Sequence, residues 1–127
     1  MIHLDTNLII GVIDASDLHH PAARRVLSGP GPFAASAVAW MEFASVPLPS
    51  LALEAARHLL TAGIVPFGEE AALLAGQLFY ETGASRRTRL DTMIAATAIL
   101  AGAELATVNA EDFRPFVPHG LKLFDFR

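Results

Sequence analysis

Four short apolar runs, Met1–Leu4, Phe33–Ala35, Ile64–Phe67 and Leu105–Val108, alternate along the chain with stretches of helical character. This alternation restricts the architecture to an α/β domain built around a small, mainly parallel sheet, because parallel strands need crossover helices between them. Lys122–Phe124 reads as a last edge strand. At 127 residues the chain is expected to form one domain spanning 1–127, with neither linker nor internal repeat.

The intervening segments carry helix punctuation. Asp5-Thr6-Asn7 reads as a strand end leading into a helix cap, followed by a short apolar helix over Leu8–Ile13. His20–Leu27 has proline early and stops at Gly29-Pro30-Gly31-Pro32. Ser36 is placed to cap a helix running to about Ser45, and Leu51–Ala62 ends against Gly63. Glu69–Thr82 is the clearest helix, with paired acids where the dipole favours them and Gly83 after its end. Ser85–Arg89 then reads as a polar, basic loop, and Asp91 as the opening of a helix over Thr92–Ala101.

Composition excludes several classes of function. Hydrophobic residues make up 53% and charged residues 17%, enough apolar surface to offset the entropy of ordering the chain. No cysteine is present, so thiolate nucleophiles and Cys-ligated zinc or iron–sulfur sites are ruled out. The start Met1-Ile2-His3-Leu4-Asp5 lacks the pattern of a signal peptide, and the run Thr92–Ala103 is shorter than the roughly 20 residues that cross a bilayer. No membrane association and a cytoplasmic location are therefore expected. With a formal net charge of −4, any polyanionic partner must be met by a local basic patch or by cations.

The informative residues are acids in apolar surroundings. Asp5 is the one formally charged residue between Met1 and Ile13, and Glu42 stands alone between Arg25 and Glu54. After Asp91 the next charge is Glu104. A carboxylate at the edge of an apolar core needs donors or a cation to compensate it. Each has a purely structural reading as well: Asp5 and Asp91 as helix caps, Glu42 reaching to solvent, Asp112 as a solvated loop acid or the cap of a short turn. Sites in open α/β sheets form beyond the carboxyl ends of the strands, where Asp5 follows the first run and Asp112 the fourth. If Glu42 and Asp91 face the same crevice, four like charges share one site, and a set of hard oxygen ligands without thiolates selects Mg²⁺ or Mn²⁺.

Leu4-Asp5-Thr6-Asn7, the isolated Glu42 after Ser36, the run Arg89–Ala98 beginning Arg89-Leu90-Asp91-Thr92-Met93, and Leu105–Phe113 together resemble the PIN domain, most closely its VapC-type toxins. The resemblance covers essentially the whole chain. It implies a three-layer α/β/α fold and a Mg²⁺-dependent endoribonuclease with Asp5, Glu42, Asp91 and Asp112 as metal ligands, Mn²⁺ being a possible substitute. Asp5 and Asp91 would be the main ligands, and cleavage would leave 5′-phosphate and 3′-hydroxyl ends. Thr107 and Asn109 match the small polar positions before the last acid; Asn109 stands where some members have Asp. A homodimer and a cognate VapB-like antitoxin covering the acidic site are further implications.

Other residues serve that reading. Thr6 and Asn7 are placed to orient metal-bound water or to close a local turn, and Arg86, Arg87 and Arg89 to grip RNA phosphates or an antitoxin. Phe113, Phe116, Phe124 and Phe126 make an apolar C-terminal stretch, for core or interface. Two other functions compete: a non-catalytic interaction module of the same fold, and an Asp-nucleophile phosphatase using Asp5. The second lacks an Asp two residues on, where Asn7 stands, and a lysine near the acids.

Overall fold

β1 (Ile2–Leu4) lies at the centre of a five-stranded sheet, between β2 (Phe33–Ser36) and β4 (Glu104–Ala106). β3 (Gly63–Val65) and β5 (Lys122–Leu123) form the two edges, giving the order β3-β2-β1-β4-β5, and every pairing is parallel. The structure, a computed structural model, describes residues 1–83 and 85–126. β1 is buried at all three positions, as a strand covered on both faces must be. Strand order reverses at β1: the chain moves outward to β2 and β3, then returns to the other side for β4 and β5. In such sheets a crevice opens at the reversal, beyond the carboxyl ends of the two strands that flank it.

Helices on both faces complete a three-layer α/β/α arrangement. α1 (Thr6–Ile13) packs on α2 (His20–Leu27), α3 (Ala37–Ala44) and α4 (Ala52–Leu59), while α5 (Glu69–Thr82) packs on α6 (Arg89–Ala101). α6 also meets β2 and β4. Its buried stripe is made of small residues, Ala95, Ala96 and Ala98 among them. Two threonines are buried in it as well, because their hydroxyls donate back to helix carbonyls: Thr92 to Thr88 and Thr97 to Met93, each at 2.9 Å. Ser36 caps α3 as the sequence indicates, its Oγ accepting from the Ala39 N–H at 3.0 Å. His20–Leu27 and Glu69–Thr82 are helical over the expected residues.

Several boundaries differ from the sequence reading. The helix expected over Leu51–Ala62 is α4, ending at Leu59, and Gly63 opens β3 in a left-handed conformation, φ +91°, that a side chain would oppose. The basic segment at Ser85–Arg89 is partly ordered as a 3-10 turn at Arg86–Thr88, and Arg89 already belongs to α6. Asp91 therefore sits inside the first turn of α6 and does not open it; Thr88 holds the cap position. Residues after β4 form a one-turn helix α7 (Ala110–Phe113) and a 3-10 segment at Arg114–His119. These bury Phe113 and Phe116, whereas Phe124 and Phe126 stay half-buried.

α1 and α2 meet across Gly11. A Cβ built there lies 2.8 Å from the His19 carbonyl oxygen, closer than real contacts allow, and the His20 ring nitrogen Nδ1 bonds the Gly11 carbonyl at 2.7 Å. Gly11→Ala adds about 1 kcal/mol of helix propensity but forces this backbone apart, at a cost of about 1–3 kcal/mol. A net loss of thermal stability by several degrees is expected in calorimetry, and an unchanged or raised melting temperature would contradict the close approach.

Candidate functional site

Asp5 follows β1 at the strand reversal, 5% exposed, and caps α1. Its Oδ1 accepts from the Thr6 N–H at 2.8 Å and its Oδ2 from the Thr107 hydroxyl at 2.8 Å. Thr107 in turn accepts from the Asn109 N–H at 3.0 Å. One chain of hydrogen bonds thus ties the carboxyl end of β1 to that of β4. The Thr6 hydroxyl donates to Glu42 Oε1 at 2.9 Å, which connects the acid on α3 to the same network.

Asp91 and Asp112 reach the group electrostatically. Burial, then the charges of Asp5, Asp112 and Glu42, push the Asp91 carboxyl up from 3.8 to about 6, against a smaller opposing pull from Arg87. Asp5 is also pushed above the ordinary aspartate value, first by burial and then by Glu42 and Asp112, despite the two hydrogen bonds that favour its charged form. The four acids that the sequence singles out therefore feel one another in one region of the fold. Among the described residues, however, no three His, Asp or Glu side chains form a group ready to hold a metal ion as they stand. The chemistry of the side chains suits a hard divalent cation: all four are carboxylates, and an added positive charge would offset the burial that chiefly raises Asp5 and Asp91 as well as the smaller repulsion among the acids.

The remaining site candidates divide. Arg87 approaches Asp112 at 3.9 Å, both side chains well exposed, a contact worth little by itself. Arg86 is exposed on the same turn. Arg89 is drawn elsewhere, its guanidinium 5.0 Å from the centre of the Phe79 ring on α5. Asn7 is half-buried one residue into α1 from Thr6, and Asn109 acts through its backbone N–H in the bond to Thr107. Two features escape sequence reasoning. His3, on β1, is 1% exposed with neither ring nitrogen hydrogen-bonded, and burial, with the N-terminal charge, lowers its value from 6.5 to about 4. Arg25, Arg114, Phe124 and Phe126 line a cavity that also takes in Thr107, Asn109 and Asp112. No periodicity announces either, because strand order brings α2 and β5 to that place.

The family model described as PIN domain matches residues 2–115. No curated protein matches the sequence. Among solved structures the fold is similar to a chain of a toxin–antitoxin complex from Klebsiella pneumoniae, at TM-score 0.70 and 25% identity over 89% of this chain and 90% of that one. It is similar as well to FitAcB from Neisseria gonorrhoeae (TM-score 0.70, 22% identity, 98% and 97% covered). A third is VapBC2 from Rickettsia felis bound to a DNA fragment from its promoter (TM-score 0.70, 20% identity, 100% of both chains). With a family match across most of its length, a parallel sheet reversing at β1 and acids gathered beyond the reversal, the chain belongs to the PIN-domain family.

Proposed function

We propose that this chain is a Mg²⁺-dependent endoribonuclease, the toxin component of a VapBC-like toxin–antitoxin system, acting in the cytoplasm. The observation that supports the reading is the hydrogen-bonded linkage of Asp5, at the end of β1, to Glu42 through Thr6 and to the end of β4 through Thr107, with Asp91 near enough to feel the charges of Asp5, Asp112 and Glu42. Such a site is stable and useful toward a phosphodiester only with cations present. Asp5, Glu42, Asp91 and Asp112 are the residues that would hold Mg²⁺, with Mn²⁺ as a substitute. When bound, the ion supplies positive charge to a phosphodiester that gains negative charge as it is cut, and acidifies the attacking water.

The chain's own residues prepare that chemistry. Thr107 and the Thr6 N–H fix both oxygens of Asp5, so its orientation is set before any ligand arrives. Thr6 holds Glu42 in the same way. Arg87, and Arg86 beside it, carry exposed positive charge at the margin of an otherwise acidic region, suited to flanking phosphates of an RNA strand. The toxin–antitoxin complexes among the structural relatives support a VapB-like antitoxin as partner, and a homodimer is part of the same proposal. Among the described residues no helix is long and apolar enough to cross a membrane.

A second reading, a non-catalytic module of the same fold, is favoured by the lack of a ready three-ligand group among the described residues. Mg²⁺ titration separates the two. Saturating Mg²⁺ at 100 times its dissociation constant stabilises the folded state by about 2.7 kcal/mol, and RNA of randomised sequence is then cut only in its presence. No shift in melting temperature and no cutting with Mg²⁺ or Mn²⁺ would leave the module reading standing.

A further inference from the structure

A cavity of about 630 Å³ opens beside the acids and shares Thr107, Asn109 and Asp112 with them. Its remaining wall includes Arg25 on α2, Glu111 and Arg114 flanking Asp112, and Asp125 between the rings of Phe124 and Phe126. The two rings are nearly parallel, 17° between planes with centres 6.3 Å apart, and each is half-buried. Phe124 is held in place. The Phe124 N–H donates to the Leu105 carbonyl at 2.8 Å, continuing the β4–β5 ladder, and the tip of its ring lies 3.0 Å from where a Cβ at Gly29 would stand.

The charges on the rim are unevenly engaged. Arg114 is taken up by Glu111, whereas Arg25 is exposed and, among the described residues, has no ion-pair partner. A nearly parallel aromatic pair beside an uncommitted guanidinium is the pairing that recognises a nucleotide: every base offers a face to stack on an aromatic ring, and its phosphate accepts from arginine. A volume in the range of small-molecule sites admits a nucleoside with its phosphate and excludes a duplex.

We propose that this cavity receives one unpaired nucleotide of the RNA strand adjoining the phosphate that is cut, its base against Phe126 and its own phosphate against Arg25. This rests on the ribonuclease reading for the identity of the strand, and it makes Phe126 and Arg25 determinants of where the strand is cut. A cut site must then lie in a single-stranded segment, with a base preference at one flanking position.

Binding of each of the four ribonucleoside 5′-monophosphates, followed by saturation-transfer NMR in EDTA, tests the cavity without reference to cutting. Saturable binding is expected for at least one of them. Phe126→Ala and Arg25→Ala should each weaken it about tenfold or more, and Phe126→Trp should keep it. With randomised RNA and Mg²⁺, Phe126→Ala should raise KM more than it lowers kcat and flatten the preference at one flanking position. Nucleotides that bind the wild type no better than Phe126→Ala and Arg25→Ala, together with an unchanged cutting pattern, overturn the inference and mark the cavity as a face for protein. If nucleotides bind as described while no RNA is cut with any divalent metal, the ribonuclease reading fails and the nucleotide site stands. Melting temperatures of the variants show whether a loss of binding is a loss of fold.

Discussion

Asp91→Asn is expected to lower metal-dependent RNA cutting by about 100- to 1,000-fold, the scale on which removal of one charge-stabilising group acts, while raising thermal stability without metal. The two effects have one origin. At neutral pH the Asp91 carboxylate is held ionised among Asp5, Asp112 and Glu42, and partly out of water, so the folded state carries a charge it disfavours. A rise from 3.8 to about 6 corresponds to ~3 kcal/mol for a wholly buried group. Asp91 is only half-buried, and with solvent screening about 1 kcal/mol is the expected gain on neutralising it. For a chain of this size that is a rise of roughly 3–5 °C in melting temperature in EDTA. Saturating Mg²⁺ should reverse the ranking, stabilising the wild type and leaving Asp91→Asn almost unmoved. A variant that is less stable in EDTA, yet still shifted by Mg²⁺, would show that Asp91 is a structural acid.

The pH dependence of stability is expected to be shallow between pH 4 and 6.5 in EDTA, because two groups oppose each other there. His3 has a folded value near 4, below its unfolded 6.5, so the unfolded chain takes up the extra proton and stability falls as pH drops through that window. Asp91 has a folded value near 6, above its unfolded 3.8, so the folded chain holds the extra proton and stability rises as pH drops from 6 toward 3.8. Asp5 acts in the same sense as Asp91. Removing one side exposes the other. His3→Leu should melt higher at pH 5 than at pH 7, and Asp91→Asn should lose several degrees over the same interval. Melting curves of the three proteins at half-unit pH steps check this, and parallel curves would mean that neither group titrates as its surroundings dictate.

Much of the architecture is legible in the sequence because it follows from local chemistry. The strand positions come from apolar runs closed by turn residues, and α2 and α5 carry their own punctuation, Pro21 at one start and Gly83 in a left-handed conformation at one end. Boundaries go astray where tertiary contacts extend or cut a helix. α6 begins at Arg89, earlier than Asp91 suggests, because the 3-10 turn before it and the packing of Arg89 over Phe79 carry the helix back. Asp112 reads as a loop acid after the fourth apolar run, yet it lies in α7, followed by a 3-10 segment. Burial of Phe113 and Phe116 is what gives this stretch form.

By itself the sequence determined that the chain is an α/β domain and that Asp5, Glu42 and Asp91 are acids set in apolar sequence, with Asp112 following the fourth apolar run. It also placed two of them beyond strand ends. Only the tertiary structure decided that β4 lies beside β1, so that Thr107 reaches Asp5 across 102 residues of chain. The same choice brought Arg25 and Phe126 to a cavity at Asp112, and shut His3 away with no hydrogen-bond partner. The physical reason is one of range. Periodicity and caps report the face a residue presents and the ends of its element, whereas strand order is settled by the packing of the whole sheet against its helices, and no local pattern records it.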